Sequence, residues 1–254
     1  MPETAARDDV LAYLHDYLNV AGYRDYGPQG LQVEGRAVVR KVVSGVSGGV
    51  ALFQRAAAAG ADMVIAHHGI FWDRESRVVK GGLKHRLELL LQHRMTLAAY
   101  HLCLDAHPEV GNNVLGARGL GLQNIRPWGE HNGKPIGFRG EWEGEPVPHA
   151  VSRVNALYDS SALAFLHGPD LVRSVGIISG GAQAQVRDAI ELGLDMFITG
   201  EASEFVMSTA REGNIHFLAA GHHNTERLGI RAVGDHLAEK FGIEHEFIDI
   251  PNPV

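Results

Sequence analysis

Two stretches of the chain end the same way. Leu97-Ala98-Ala99-Tyr100-His101-Leu102-Cys103-Leu104-Asp105 has a near-echo in Leu218-Ala219-Ala220-Gly221-His222-His223-Asn224-Thr225-Glu226. Each is an apolar, strand-like run closed by a histidine, with a carboxylate four residues on. A third run, Met63-Val64-Ile65-Ala66, ends in the pair His67-His68. Neutral imidazole and carboxylate are the usual protein ligands of Zn²⁺, Fe²⁺, Mn²⁺, Co²⁺ and Ni²⁺. Carboxylates such as Asp105 and Glu226 can also bridge two cations, and a pair of cations about 3.5–4 Å apart activates water and clamps both oxygens of a phosphoryl displacement. Adjacent histidines face opposite ways inside a regular strand. At a strand's carboxyl end, with Gly69 next, the backbone can turn both rings into one crevice, or give one ring to each of two metals. Open α/β sheets favour ligand sites at those ends.

The bland readings set the contrast. A single histidine at a strand end is ordinarily a hydrogen-bonded structural residue, and His107, His131, His149, His167 and His245, in polar or loop contexts, read as surface residues. The matched His/acid pairs and the His67-His68 doublet go beyond that pattern. No His-Glu-x-x-His occurs, and the Ser-Gly-Gly turns lack both GxGxxG spacing and a Walker Gly-Lys-Ser/Thr, so they read as tight βα turns. Glu201, in Thr199-Gly200-Glu201, holds the place corresponding to His68 and reads as a vestigial or supporting site residue. His222, just before a helix with Thr225 or Asn224 as N-cap, would share one side of the junction with Glu226 in the first helical turn, where the helix dipole favours a carboxylate.

The elements that must carry these residues follow from periodicity and turn chemistry. Asp8 or Asp9 caps a helix over 8–20 with Val10, Leu11, Leu14, Tyr17 and Leu18 at helical spacing, and Gly27-Pro28 breaks the chain into a loop. Residues 38–46 read as a strand, Val50–Ala59 as a helix with Gly60 at C′, and Asp62–Ala66 as the strand delivering His67 and His68. An amphipathic helix around Leu83–His93 puts Leu83, Leu87, Leu90 and Leu91 on one side, and a strand over 96–100 leads to His101. Downstream, Val172-Arg173-Ser174-Val175, Ser179-Gly180-Gly181 and Gly193-Leu194-Asp195-Met196 repeat Val39-Arg40-Lys41-Val42, Ser47-Gly48-Gly49 and Gly60-Ala61-Asp62-Met63 at offsets of 132 or 133. Each copy is strand, Gly-rich turn, helix, strand, a βαβ unit with a parallel pair. A Gly-, Pro- and Trp-rich stretch over 123–150, with a short antiparallel strand at Gly137–Trp142, marks a domain transition. A last helix over Glu226–Phe241, with Ile230, Val233, Leu237 and Phe241 inward, precedes a short strand at Glu246–Ile250.

The expected fold is therefore α/β: two similar α/β halves with βαβ units around a mixed sheet. Residues 1–122 and 215–254 form a metal-binding α/β domain, and 123–214 a second α/β domain that pseudo-repeats the first. With 254 residues, 45% of them apolar and 21% charged, the chain has the ordinary make-up of a globular protein with a sizeable core. Its formal charge of −7 gives no electrostatic argument for a general nucleic-acid binder. The single cysteine, Cys103, excludes an intrachain disulfide and a cysteine-based zinc site within one chain, and reads as a core or near-site thiol. The acidic N-terminus does not resemble a signal peptide, and no apolar stretch approaches the roughly 20 residues of a membrane span. The expected location is the cytoplasm.

Taken in order, Gly30-Leu31-Gln32-Val33, Ala66-His67-His68-Gly69, His101-Leu102-Cys103-Leu104-Asp105-Ala106-His107, Gly111-Asn112-Asn113, Thr199-Gly200-Glu201, Gly221-His222-His223-Asn224-Thr225-Glu226-Arg227 and Phe247-Ile248-Asp249-Ile250-Pro251-Asn252-Pro253 resemble one family over nearly the whole chain. This is the Nif-three-like dinuclear metal-centre family, whose members are often named GTP cyclohydrolase I type 2 homologues; the closer likeness is to its short bacterial members. The resemblance implies a Nif-three-like fold with a two-part α/β subunit, a toroidal homohexamer, and two divalent metal ions per subunit (Fe, Zn or Mn). It implies metal ligands at His67, His68, Asp105, His222 and Glu226, with His101 in a supporting place or as an occasional ligand, and His222 rather than His223 as the binding member of that pair.

The function this points to is a metal-dependent hydrolase in which an activated water attacks a nucleotide or phosphate-ester-like small molecule, with His101 as proton shuttle. GTP cyclohydrolase-like ring opening is a specific form of it, although no guanine or triphosphate pocket is recognisable. The alternative is a non-enzymatic metal-binding or metal-delivery hexameric scaffold. Encirclement of nucleic acid is disfavoured by the charge.

Overall fold

A computed structural model describes residues 3–254. The chain divides into two compact units, Met1–Leu104 with Ile230–Ile250, and Asp105–Gly229 with Pro251–Val254. Residues 105–122 and 215–229, grouped from the sequence with the first half, lie in the second unit.

The first unit is built on a five-stranded sheet in the order Glu244–Phe247, Lys41–Ser47, Met63–His68, Thr96–Ala99, Gly30–Val33. The first four are parallel and Gly30–Val33 closes the edge antiparallel. Helices Val50–Ala58 and Gly81–His93 link the parallel strands. Leu52, Phe53, Ala56 and Leu90 pack with Val43, Val64, Ala66 and Leu97 into one cluster. Parallel strands buried on both faces read as continuous apolar runs rather than alternations, which is why Met63-Val64-Ile65-Ala66 shows no period of two.

The second unit holds a six-stranded sheet: Gln123–His131, Lys134–Pro146, Leu171–Ile177, Met196–Thr199, His216–Ala219, Leu163–Leu166. Its central three strands are parallel and the flanking pairings antiparallel. Its core joins Val114, Phe138, Trp142, Val154, Tyr158, Val175, Met196 and Leu218.

The internal repeat is visible in the ladders themselves. Val42 pairs with Met63 in the first unit and Val175 with Met196 in the second, an offset of 133 on both strands. Asp62 donates its N–H to the Lys41 carbonyl, as Asp195 does to that of Ser174. On the third strand Met63 faces Thr96 and Met196 faces His216, so the offset there is 120. The echo of Leu97–His101 in Leu218–His222, at 121, is thus one residue out of structural register: His101 corresponds to Gly221, and His222 follows it.

Several element expectations are corrected. The first helix is Arg7–Tyr17, with Ala6 at its N-cap and no side-chain cap from Asp8 or Asp9. The strand expected over 38–46 is two, Val38–Val39 pairing with Ala5–Ala6 and Lys41–Ser47 in the main sheet. Leu91 is 61% exposed, because it stands about 100° round the helix from fully buried Leu90. The short strand at Gly137–Trp142 is the middle of a long hairpin, Gln123–His131 with Lys134–Pro146. Its two-residue turn is Asn132-Gly133, both at positive φ, a strong hairpin signal that lies in the sequence. The last strand is Glu244–Phe247 rather than Glu246–Ile250.

Candidate functional site

Each unit presents its own set of candidate ligands, His67, His68 and His101 in the first and Asp105, His222 and Glu226 in the second. In the first unit the strand runs through His68, so both histidines close it, and Gly69 follows. His67 is fully buried and its Nδ1 donates to the Tyr100 carbonyl at 3.0 Å. His68 has its Nδ1 3.1 Å from Ser47 Oγ. A neutral ring that donates through Nδ1 keeps its lone pair on Nε2, so the Tyr100 contact sets the tautomer of His67.

The loop after the strand Thr96–Ala99 brings His101 alongside. Ring centroids lie 4.8 Å apart for His67 and His68, 5.0 Å for His67 and His101, and 5.5 Å for His68 and His101. One ring nitrogen from each of the three falls within 4.8 Å of the others, close enough for a shared cation. Asp25, whose side chain is 2% exposed, accepts from His101 Nδ1 at 2.8 Å and from the Leu102 N–H at 2.9 Å. Gln29 Oε1 accepts the His101 N–H at 2.7 Å. Burial pushes the Asp25 carboxyl up, but the His101 bond and charge and the N–H groups of Tyr26 and Leu102 more than offset it, holding it below the ordinary carboxylate range. Sequence reasoning missed Asp25, an acid in a loop before Gly27-Pro28 with no periodic or motif signal.

In the second unit the donors are mostly anionic. Asp105, 5% exposed, has its Oδ1 held by Asn112 Nδ2 and Ser179 Oγ, each at 2.8 Å. Its carboxylate lies within 4.8 Å of that of Glu226, itself 2% exposed. His222 Nε2 is 3.2 Å from Glu226 Oε1, and its Nδ1 is 2.5 Å from Glu201 Oε1. Burial pushes His222 down, yet the hydrogen bonds and charges of Glu226 and Glu201 raise it further, to about 9. A cation bound through His222 would have to displace that proton. Glu226 does not sit in a first helical turn: it joins the short helix His222–Thr225 to the long one beginning at Arg227.

Local glycines make this geometry possible. Gly180 stands at φ +66°, where a Cβ would collide with Glu226 Oε1 and come 3.2 Å from His222 Nε2. Gly221, at φ +94°, turns the chain from its strand into the helix carrying His222. The Ser179-Gly180-Gly181 turn serves carboxylate positioning: Ser179 donates to Asp105, and the Gly180 N–H donates to Thr225 Oγ1 at 3.0 Å. Asn112 and Ser179 were visible as motif members, but their donor role toward Asp105 shows only in the fold.

The other histidines divide. His223 is 5% exposed and its N–H donates to the Val254 carbonyl. Two residues read as surface are corrected. His107 is 7% exposed and accepts the N–H groups of Glu109 and Val110. The His245 side chain is 5% exposed, bound between Ser44 Oγ and Asp235. Cys103 is buried.

The donor chemistry in both units suits divalent cations. His67 and His222 are oriented through Nδ1 by oxygen acceptors, His68 stands against a hydroxyl, and Asp105 is oriented through one oxygen. Imidazoles and carboxylates oriented from behind are the pattern of metal ligands with their supporting partners.

Against known proteins, the profile of the Duf34/NIF3 (NGG1p interacting factor 3) family matches residues 5–253. A Pseudomonas aeruginosa protein named GTP cyclohydrolase 1 type 2 homolog is 46% identical, covering 93% of this chain and 94% of the relative. A solved structure of protein ybgI, described as of unknown function, superposes with a TM-score of 0.92 at 42% identity, covering 98% of this chain and all of that one. TTHA1606 from Thermus thermophilus also gives a TM-score of 0.92, at 34% identity, covering 98% of this chain and all of that one.

Proposed function

Because this chain belongs to the Duf34/NIF3 family, we propose that it is a metal-dependent hydrolase with a dinuclear centre served by His67, His68, Asp105, His222 and Glu226, acting on a nucleotide or another phosphate ester. The observation that carries this reading is the engagement of the donors from behind: His67 by Tyr100, His222 by Glu201, Asp105 by Ser179 and Asn112. Structural histidines and carboxylates satisfy themselves with such bonds and need no second donor close by. Here three imidazoles converge in one unit and two carboxylates with an imidazole in the other.

Bound divalent cations would supply Lewis acidity toward a phosphoryl oxygen and a nucleophilic water at neutral pH. The chain's own residues do the rest. Asp105 and Glu226 would bring negative charge to the cations. His101, with Nδ1 held by Asp25, is left out of the ligand set, and its Nε2 would take a proton from the attacking water and pass it to the leaving oxygen as a positioned general base. Ring opening of a guanine nucleotide, suggested by the relatives' name, is the narrower form of the same hydrolysis. Formate release would distinguish it.

The deciding experiment is metal analysis of anaerobically purified protein, followed by a nucleotide and phosphodiester screen with the metal found. Turnover lost in Asp105→Ala and Glu226→Ala supports the reading; turnover that survives both places the activity elsewhere. Stoichiometric but freely exchangeable metal with no turnover across the panel would favour the metal-delivery scaffold.

The homohexamer and the cytoplasmic location belong to the same proposal. Light scattering should give six times the chain mass. Among the described residues no helix is long and apolar enough to cross a membrane.

A further inference from the structure

We propose that the loop following His68 builds a pocket for the planar ring of the substrate, a nucleobase-sized heterocycle stacked on Trp72 beside the histidine cluster. The inference rests on the reading of that cluster as part of the reaction centre, and adds the substrate class the pocket selects.

Residues 69–80 run from the strand end at His68 to the helix Gly81–His93 without regular secondary structure. They wall a cavity of about 390 Å³ in the first unit, lined by Pro28, Ile70, Phe71, Trp72, Arg77 and Leu83 among others. Small-molecule pockets begin at about 300 Å³ and are mostly apolar with a few polar groups. Of the lining residues, Ile70 is buried, 1% exposed.

The pocket adjoins the chemistry through one side chain. The Trp72 ring meets that of His101 edge to face, with centroids 5.4 Å apart, and lies 6.1 Å from that of His68. A planar ring on Trp72 therefore holds the rest of its molecule within reach of the imidazoles. Aromatic faces accept planar heterocycles by offset stacking. Asp73, Glu75, Ser76 and Arg77, which also line the cavity, provide acceptors and donors for a heterocycle's edge, which an aliphatic ligand would leave unused.

The loop is also fixed before a ligand arrives. The Ile70 N–H donates to Gln32 Oε1 at 2.8 Å, and the Asp73 N–H to the Tyr26 carbonyl at 2.8 Å. Gly69 and Gly27 leave no room for a Cβ: one would collide with the Gln32 amide, the other with the Phe71 carbonyl. Packing this close holds Trp72 in place and lowers the ordering cost of binding. Neither a surface loop nor an isolated aromatic requires it.

The test uses AMP, GMP and ribose 5-phosphate as probes, titrated calorimetrically into full-length protein with and without bound zinc. AMP or GMP should bind with or without zinc, and more tightly than ribose 5-phosphate. Trp72→Ala should weaken nucleotide binding by about tenfold or more, Trp72→Phe should recover most of it, and ribose 5-phosphate should respond to neither change. Zinc content should stay at the wild-type value in both variants. Equal nucleotide binding by wild type and Trp72→Ala, or no preference over ribose 5-phosphate, overturns the pocket while leaving the metal centre standing. Loss of zinc binding in Asp105→Ala with nucleotide binding intact separates the two readings from the other side.

Discussion

The two units are built on the same ladder and carry different chemistry. Val42 opposite Met63 and Val175 opposite Met196 occupy one position in a repeated βαβ frame, yet the residues that leave the frame at its carboxyl end differ. Where the first unit ends in His68, the second places Glu201. Where the first turns out at His101, the second turns at Gly221 and delivers His222 one residue later. The frame of the first unit thereby delivers imidazoles and that of the second delivers His222 and buried Glu226, while the second buried carboxylate, Asp105, comes from the segment after His101. A repeat conserves backbone hydrogen bonds, because the ladder must satisfy every buried N–H and C=O. The strand ends carry no such obligation, so the donors there are free to diverge.

The largest test of that division is deletion of one donor from each side. Asp105→Ala and Glu226→Ala should each empty the protein of metal to background, because each removes one of the two buried negative donors. His67→Ala should cost one ion and leave the other. Mass-spectrometric metal counting on folded variants reads the difference directly. If His67→Ala empties the protein as fully as Glu226→Ala, the division into neutral and anionic donors is wrong.

A smaller effect separates the supporting contacts. His222 is oriented by a carboxylate, Glu201, and His68 stands against a hydroxyl, that of Ser47; bonds to charged acceptors are roughly twice as strong as neutral ones. Glu201→Gln should therefore weaken metal binding about 10–100-fold, and Ser47→Ala by less, in competition with a chromophoric chelator. The turn beneath Glu226 sharpens this further. Gly180→Ala places a Cβ against Glu226 and should lower metal affinity, whereas Gly193→Ala, at φ +71° with nothing within 4 Å of its Cβ, carries backbone strain of about 1 kcal/mol without that contact. Equal metal loss in the two would mean that strain, not displacement of Glu226, is responsible.

Much of the frame was legible before the fold was known. The His67-His68 strand end, the offset of 133 and the tight turns at Gly60 and Gly193 follow from period, turn chemistry and repetition, which are local properties. The one-residue slip between the His101 and His222 echoes was not legible, because similar letters align best at 121 while the ladder aligns Thr96 with His216 at 120. The two histidines therefore leave the frame at different points, His101 in the turn after its strand and His222 in the short helix after Gly221, and do not play equivalent roles. Asp25, and the donor roles of Asn112 and Ser179, were hidden for another reason: each meets its partner through tertiary folding, and a single polar residue carries no periodic signature. His107 and His245 looked like surface residues because their neighbours are polar, yet hydrogen bonds, local for His107 and tertiary for His245, offset the cost of their burial.

The smallest expected effect concerns stability and compares a duplicated aspartate with itself. Asp62 and Asp195 hold the same place in the frame. Asp195 Oδ2 accepts the N–H groups of Arg173 and Ser174 at 2.8 and 2.9 Å. Asp62, 1% exposed, accepts the Arg40 N–H at 2.9 Å and adds the Arg36 guanidinium at 2.8 Å and that of Arg40 at 3.4 Å. Burial pushes the Asp62 carboxyl up, but the bonds from Arg36 and Arg40 outweigh it and hold it below the ordinary carboxylate value. A folded-state value below the unfolded one stabilises the fold above about pH 3.9. That contribution is lost as the pH falls through the lower, folded value. Asp62→Asn should accordingly cost about 1–3 kcal/mol near neutral pH, by denaturant titration, and the gap from wild type should narrow below about pH 4. Asp195→Asn, with half-exposed surroundings that let water replace the lost acceptor, should cost less. A gap for Asp62→Asn that stays constant from neutral pH to about pH 3, below the ordinary carboxylate value, would mean the arginines contribute packing rather than charge, and that the two aspartates differ in surroundings alone.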